Sequence, residues 1–269
     1  MVIDFHTHVF PDRIAERTIS SLAQRGGIKA HSDGTLTGLL SSMKTAGIDL
    51  AVNLPPLTSP KQFDSILGFA KELNSMHCDG PRVISFAGIH PEEPDALSRL
   101  CEISEAKIVG IKIHPDYQGR FIDDELYVKI LCEAKRLGLI TVTHAGYDVG
   151  FPGQPVRCTP LRILRLLDKI GGYPSLVLAH IGSNDMSKEV LDVLAGEDVY
   201  FDTAYTLQDI DRGLFLRILE RHGADKVIFA TDSPWRNQAE QIKILKGLGL
   251  GADTEDKILS KNAKRLLGI

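Results

Sequence analysis

Two histidines one residue apart, in Met1-Val2-Ile3-Asp4-Phe5-His6-Thr7-His8, have the spacing in this chain that is best suited to chemistry. The apolar run around them reads as a strand, and residues i and i+2 of a strand share a face. His6 and His8 are thereby placed to grip one cation from one side, with Phe5 and Thr7 turned the other way. The pair gains weight from what recurs downstream. His90, His114, His144 and His180 each follow an apolar run, and Asp232 ends another in Phe229-Ala230-Thr231-Asp232-Ser233-Pro234-Trp235. A lone histidine at a strand end is most often a satisfied structural group. Six of the nine histidines at such ends, together with an aspartate, point to a metal-dependent enzyme. Imidazole and carboxylate donors favour zinc, with manganese, iron and nickel as alternatives.

The elements that must position these residues alternate along the chain. Strands are expected at Val2–Phe5, Leu50–Leu54, Val83–Gly88, Val109–Ile113, Leu139–Thr143, Leu176–Ala179, Val199–Asp202 and Val227–Thr231. Most are near-continuously apolar, as parallel strands covered on both faces should be. Helical spacing is expected over Phe63–Met76, Asp123–Leu137, Leu161–Ile170, Lys188–Leu194, Leu214–Arg221, Gln238–Leu248 and, at the end, Thr254–Leu267. Eight strands with intervening helices imply a (β/α)8 TIM barrel with its chemistry at the C-terminal ends of the strands. A doubly wound open sheet is the alternative. No linker, charge run or low-complexity stretch divides residues 1–269, so a single barrel domain is expected. The long first connection, Val9 to Thr35, reads as an irregular insert. Its Arg25-Gly26-Gly27 and His31-Ser32-Asp33-Gly34 lie where a barrel keeps specificity loops.

Composition narrows the class. Hydrophobic content of 43% and charged content of 25% are those of an ordinary globular chain. A net charge of −4 offers no footprint for nucleic acid or an anionic membrane. The four cysteines (Cys78, Cys101, Cys132, Cys158) lack CxxC spacing and read as reduced, mostly buried thiols. Asp4 and the histidines interrupt any apolar leader, and no stretch approaches the ~20 apolar residues of a membrane span. A cytoplasmic protein is expected.

The chain resembles the amidohydrolase superfamily. The likeness is to its amidohydrolase-related (amidohydrolase 2) branch of metal-dependent hydrolases and non-oxidative decarboxylases, such as aminocarboxymuconate-semialdehyde decarboxylase. It rests on Asp4-Phe5-His6-Thr7-His8 with Pro11, Gly110-Ile111-Lys112-Ile113-His114-Pro115, Thr143-His144-Ala145-Gly146, Ala179-His180-Ile181-Gly182 and Thr231-Asp232-Ser233-Pro234. The resemblance implies that His6, His8, His144 and Asp232 ligate one metal. It also implies that Asp232 takes a proton from metal-bound water, and that His180 orients that water or polarises the substrate. A divalent cation lowers the pKa of bound water to about 7 and polarises a carbonyl. Two-metal members of the superfamily use a carboxylated lysine on the fourth strand and the sixth-strand histidine. Lys112 and His180 stand at those positions. The branch is typically mononuclear, so one ion is favoured and a second, on Lys112 and His180, is the alternative. The same lysine would also serve to bind an anionic substrate. Barrels of this branch commonly form homodimers, although nothing in the sequence marks an interface.

His90 and His114, each before a proline, divide between groups behind the metal and plain structural termini. His77 and His222 read as helix-end residues, and His31 as a remote substrate contact. The loops over the mouth carry Gln118, Arg120, Tyr147, Arg157, Asn184, Tyr205, Trp235 and Arg236, a set suited to a small carboxylate-bearing substrate. Arg157, in the long loop after the His144 strand, is the expected anchor, with Tyr147 and His114 as further substrate contacts. The leading expectation is a hydrolase of a small ester, lactone or amide. Its rival is a non-oxidative decarboxylase of an aromatic or unsaturated acid, which would need the same ligands. A DNA phosphoesterase like the TatD nucleases, suggested by Gly88-Ile89-His90-Pro91, is third. It is weakened by Lys112 standing where those enzymes carry a glutamate.

Overall fold

The chain is described by a computed structural model over residues 1–76 and 79–269. His77 and Cys78 lie outside the described residues. Parallel strands alternate with helices: β1 (Ile3–Thr7), β2 (Leu50–Asn53), β3 (Arg82–Ser85), β4 (Ala87–Gly88), β5 (Gly110–Ile113), β6 (Ile140–Thr143), β7 (Leu176–Leu178), β8 (Tyr200–Asp202) and β9 (Val227–Ile228). The expected third strand is thus two short pieces. The ladder β1-β2-β3 ends at Ser85, and β4 starts the ladder β4-β5-β6-β7-β8-β9. Phe86 spans the break with its N–H on Asn53 O at 3.0 Å. The last strand meets the first through Phe5 N to Phe229 O (3.0 Å), Asp232 N to His6 O (2.8 Å) and His8 N to Ser233 O (2.7 Å). This is a (β/α)8 TIM barrel.

Two apolar layers hold it together. Ile3, Phe5, Val52, Phe86, Val142 and Val177 fill the inside, with Phe5 edge-on to Phe86 at 5.9 Å between centroids. A larger cluster, including Ile111, Ile113, Leu131, Leu166 and Phe215, joins strands to helices. The register of β1 against β2 shifts between Asp4 and Thr7. This irregularity lets Phe5 pack within the barrel while His6 and His8 both reach the cavity above it.

The helices that flank the strands follow the expected spacing, with α3 (Phe63–Ser75), α5 (Glu125–Arg136), α6 (Pro160–Ile170), α8 (Arg212–His222) and α9 (Gln238–Gly247) within a few residues of expectation. Five elements correct the sequence reading. The insert Val9–Thr35 is not irregular: α1 (Asp12–Gly26) occupies it, stopped by Gly27 at φ 61°. The helices α2 (Leu36–Ala46), capped by the Thr35 side chain on Gly38 N, and α4 (Ala96–Glu105) were not anticipated. Neither Lys188–Leu194 nor Thr254–Leu267 is a continuous helix. After α7 (Ser187–Glu189) the chain widens into a π-turn at Val190–Leu194. A second π-turn, Lys257–Lys261, separates α10 (Ala252–Asp256) from α11 (Asn262–Leu267). The latter turn seals the barrel, Ile258 O accepting Phe229 N and Asn262 donating to Ala224 O and Val227 O. The thiols also differ from expectation: among the described residues only Cys158 is buried, Cys101 is half-buried and Cys132 exposed. Among the described residues no helix is long and apolar enough to cross a membrane.

Candidate metal centre

The strand ends converge on a cavity of about 620 Å³, within the range of small-molecule sites. His6, His8, Lys112, His144, His180 and Asp232 form its floor. The backbone there is held in uncommon conformations: His180 and Asp232 have φ of 65° and 66°. Such strain persists where surrounding bonds over-determine it. Asp4 supplies several of those bonds. Its carboxylate accepts Thr231 N (2.9 Å), Thr231 Oγ1 (2.5 Å) and Gln238 Nε2 (2.7 Å), tying the strand of His6 to the turn of Asp232. Burial pushes the Asp4 pKa up to about 6 against those donors.

Hydrogen bonds behind the rings decide which nitrogens face the centre. His6 Nδ1 lies 2.8 Å from Asp202 Oδ2, leaving Nε2 as a lone pair. His8 Nδ1 lies 2.9 Å from Leu54 O, and a carbonyl can only accept, so His8 Nε2 is also a lone pair. Yet His8 Nε2 stands 2.9 Å from Asp232 Oδ1, and His6 Nε2 stands 3.6 Å from the same oxygen. Three acceptors confront one another, and the donor beside them is Lys112 Nζ, 3.2 Å from His6 Nε2. Only a proton or a cation resolves that arrangement, and burial holds the His6 pKa well below its ordinary value. The donor set of two imidazoles and a carboxylate within 4.8 Å of one another fits a divalent metal.

The other expected members lie beside this triad. His180 Nδ1 donates to Ala204 O (3.0 Å), and its Nε2 is 3.0 Å from His144 Nδ1. Burial lowers His180 to about 4 and His144 well below the usual histidine range, so both rings are neutral. Lys112 is fully buried with Nζ 3.2 Å from His6 Nε2, and burial draws its pKa down. His114 Nδ1 accepts Tyr117 N, and its Nε2 lies 3.2 Å from Asp148 Oδ2. His114, His144 and Asp148 also come within 4.8 Å of one another, but the two rings stack at 4.2 Å and 9°. Stacked rings hold their lone pairs in separate, nearly parallel planes, which is unfavourable for sharing one ion.

The walls are built by loops. Gly146, at φ 89°, lets the chain after β6 run against the Ser183–Asn184 backbone, where a Cβ would collide. Tyr147 N then bonds Asn184 O at 3.0 Å, and Tyr147, Asn184, Tyr205 and Trp235 line the cavity. The expected anchor Arg157 does not line it. Its guanidinium turns to the buried carboxylate of Asp116 at 3.5 Å, because an uncompensated buried charge is more costly than an unfilled mouth. Arg120 pairs with Glu92, Arg236 with Asp209 and the Tyr205 carbonyl, and Gln118 is spent on Leu57 O and Ile89 O. His90 accepts Glu92 N and stays off the cavity, and His31 is exposed. The arginines that do line the cavity, Arg13 and Arg25, come from α1. Asp202 and Asp148 were also missed. The glycine pair after Arg25 was the one signal that pointed to this wall.

A parallel barrel with histidines and an aspartate converging at its C-terminal mouth is the architecture of a metal-dependent barrel enzyme. A family model described as amidohydrolase matches residues 3–269, and the chain belongs to that family. No curated protein matches the chain. Among solved structures, it is similar to 5-carboxyvanillate decarboxylase from Sphingomonas paucimobilis (15% identity, TM-score 0.70, covering 100% of this chain and 99% of that one). It is similar to a dihydroxybenzoic acid decarboxylase from Polaromonas sp. JS666 with bound manganese and the inhibitor 2-nitroresorcinol (16%, 0.72, 99% and 96%). A probable 2-pyrone-4,6-dicarboxylic acid hydrolase from Acinetobacter baumannii with bound citric acid is a third (16%, 0.68, 100% and 99%). At these identities the likeness is one of fold.

Proposed function

We propose that this chain is a metal-dependent, non-oxidative decarboxylase of a small aromatic or unsaturated carboxylic acid. The observation that carries the reading is where the three confronting lone pairs lie. They sit on the floor of a cavity whose walls carry the apolar side chains of Phe10, Ile14, Leu22, Ile66, Phe69 and Phe151 beside Arg13 and Arg25. Loss of carbon dioxide followed by protonation of the carbon converts a localised anion into a neutral product, so an apolar wall favours the step over the resting carboxylate. The decarboxylases among the similar structures lend support, and they move the reading away from the hydrolase that the motifs alone put first.

His6, His8 and Asp232 would hold one zinc ion, with His144, beside them across His180, turned in as the fourth ligand; manganese is the metal of one similar structure. When bound, the ion supplies a positive centre that holds and polarises the substrate's oxygens. Arg13, Arg25 and Tyr147 on the walls orient the remainder of the acid. The bond between skeleton and carboxylate breaks with its electron pair left on carbon, and that carbon takes a proton. Asp232 and His180 are the groups on the floor able to hold the proton and return it.

Hydrolysis of a lactone or ester is the second reading. His180 Nε2 is a neutral acceptor at the floor and would take the proton of an attacking water. The experiment is to incubate zinc-loaded protein with hydroxylated benzoic acids and with small lactones, reading carbon dioxide and released acid separately. Carbon dioxide, with kcat lowered about 10²–10⁴-fold in Asp232→Asn, is expected. Released acid without carbon dioxide would overturn the reading in favour of a hydrolase.

A further inference from the structure

Two buried polar atoms near the floor have no hydrogen-bond partner: His144 Nε2 and Asp116 Oδ2. They face each other at 4.0 Å, and the Asp116 side chain is only 3% exposed. The other oxygen of Asp116 is occupied, accepting Arg157 N at 3.4 Å with the Arg157 guanidinium at 3.5 Å. The reason the facing pair stays apart lies on the opposite side of the ring. His180 commits its Nδ1 proton to Ala204 O, so its Nε2 is an acceptor and His144 Nδ1 must donate to it. His144 then carries a lone pair at Nε2, and that lone pair meets a carboxylate oxygen.

Moving the ring proton of His144 from Nδ1 to Nε2 removes the conflict. Nε2–H then has Asp116 Oδ2 as acceptor, and Nδ1 is freed as a lone pair on the side of the ring away from Asp116. We propose that Asp116, oriented by Arg157, is a positioning residue that sets His144 in the tautomer able to ligate the metal. This rests on the metal reading above and extends it to a carboxylate in the loop after β5 and an arginine in the loop after β6. Arg157, which does not reach the cavity, thereby acts on the site through Asp116.

The test is the zinc dissociation constant, measured by competition with a chelator of known affinity on the purified full chain. Asp116→Ala is expected to weaken zinc about 10–100-fold, the usual cost of losing a carboxylate behind a ligating histidine. Asp116→Asn is the discriminating variant. The Arg157 donors keep the amide oxygen at the Oδ1 place, so the amide N–H₂ falls opposite His144 Nε2 and donates to it. That holds the ring in the non-ligating tautomer, and Asn is expected to be at least as damaging as Ala. A merely structural aspartate predicts the reverse order, with the isosteric amide tolerated. Wild-type zinc affinity in Asp116→Asn would overturn the proposal and leave the metal centre standing. A wild-type chain that binds no zinc would overturn both. Should the Asp116 variants not fold, Arg157→Gln decides: several-fold weaker zinc supports the proposal, and unchanged zinc overturns it.

Discussion

Asp202 gives the sharpest check on the reasoning about ring tautomers. One carboxylate oxygen accepts His180 N (2.8 Å) and Ala204 N (3.0 Å), and the other lies 2.8 Å from His6 Nδ1. Burial raises the Asp202 pKa, while the His180 amide and the Lys112 charge pull it back. Asp202→Asn keeps the volume and leaves one acceptor oxygen for three donors. The two backbone N–H groups cannot change character, so they retain the oxygen, and the amide N–H₂ turns to His6. His6 must then accept at Nδ1 and carry its proton on Nε2, the atom that faces Asp232. Losing a hydrogen bond to a charged group costs about 1.5–3 kcal/mol, and 1.4 kcal/mol is about a factor of ten in affinity. Zinc should therefore bind about 10–100-fold more weakly. Chelator competition reads that directly, and unfolding of the metal-free chain reads any general loss of stability. Zinc binding within about twofold of wild type would refute the assignment of the His6 proton.

Lys112 bears on the number of ions. With Nζ on His6 Nε2, it is expected to act as a buried amine, so metal content should be one per chain in wild type and unchanged in Lys112→Met; two equivalents falling to one would instead establish a lysine-bridged pair. His222 should make the fold acid-sensitive. It stacks on Phe201 at 3.7 Å, and burial holds its pKa at about 4, below the 6.5 of an ordinary histidine. Between those values the unfolded chain binds a proton that the native chain does not. Stability thus falls as pH drops from 6.5 to 4, by up to about 3 kcal/mol, at a slope approaching one proton. His222→Gln should lower the slope by about one proton in denaturant titrations, leaving the share of His6, His144 and His180, and an unchanged slope would show that His222 carries none of it.

What was readable in advance follows from the physics of strands. Apolar runs of four or five residues fix a buried parallel strand, and a polar residue that interrupts such a run at its end has only the barrel mouth to face. His6, His8, His144, His180 and Asp232 were legible for that reason. The helix α1 was not, because its Ile14 and Leu22 face the cavity rather than the core, and Ile14 remains 43% exposed. A helix whose apolar stripe covers a cavity shows little of the core-facing signal. Arg157 was placed in the correct loop with the wrong direction. Spacing locates a loop residue, whereas its orientation here depends on Asp116, 41 positions away. A longer separation, 196 positions, hid Asp202 behind His6.

The motif histidines are therefore only half of the centre. Three of the four rings on the floor have an Nδ1 committed to a fixed acceptor, Asp202 for His6, Leu54 O for His8 and Ala204 O for His180. Those commitments turn each Nε2 into a lone pair before any ion arrives. The carbonyl acceptors come with the backbone and would survive most substitutions. The carboxylates would not. A chain that kept His6, His8, His144 and Asp232 but lost Asp202 or Asp116 would retain the four expected ligands and still be free to place protons where a metal must bind. Metal affinity in this fold should consequently track positions 202 and 116 as closely as it tracks the ligands themselves.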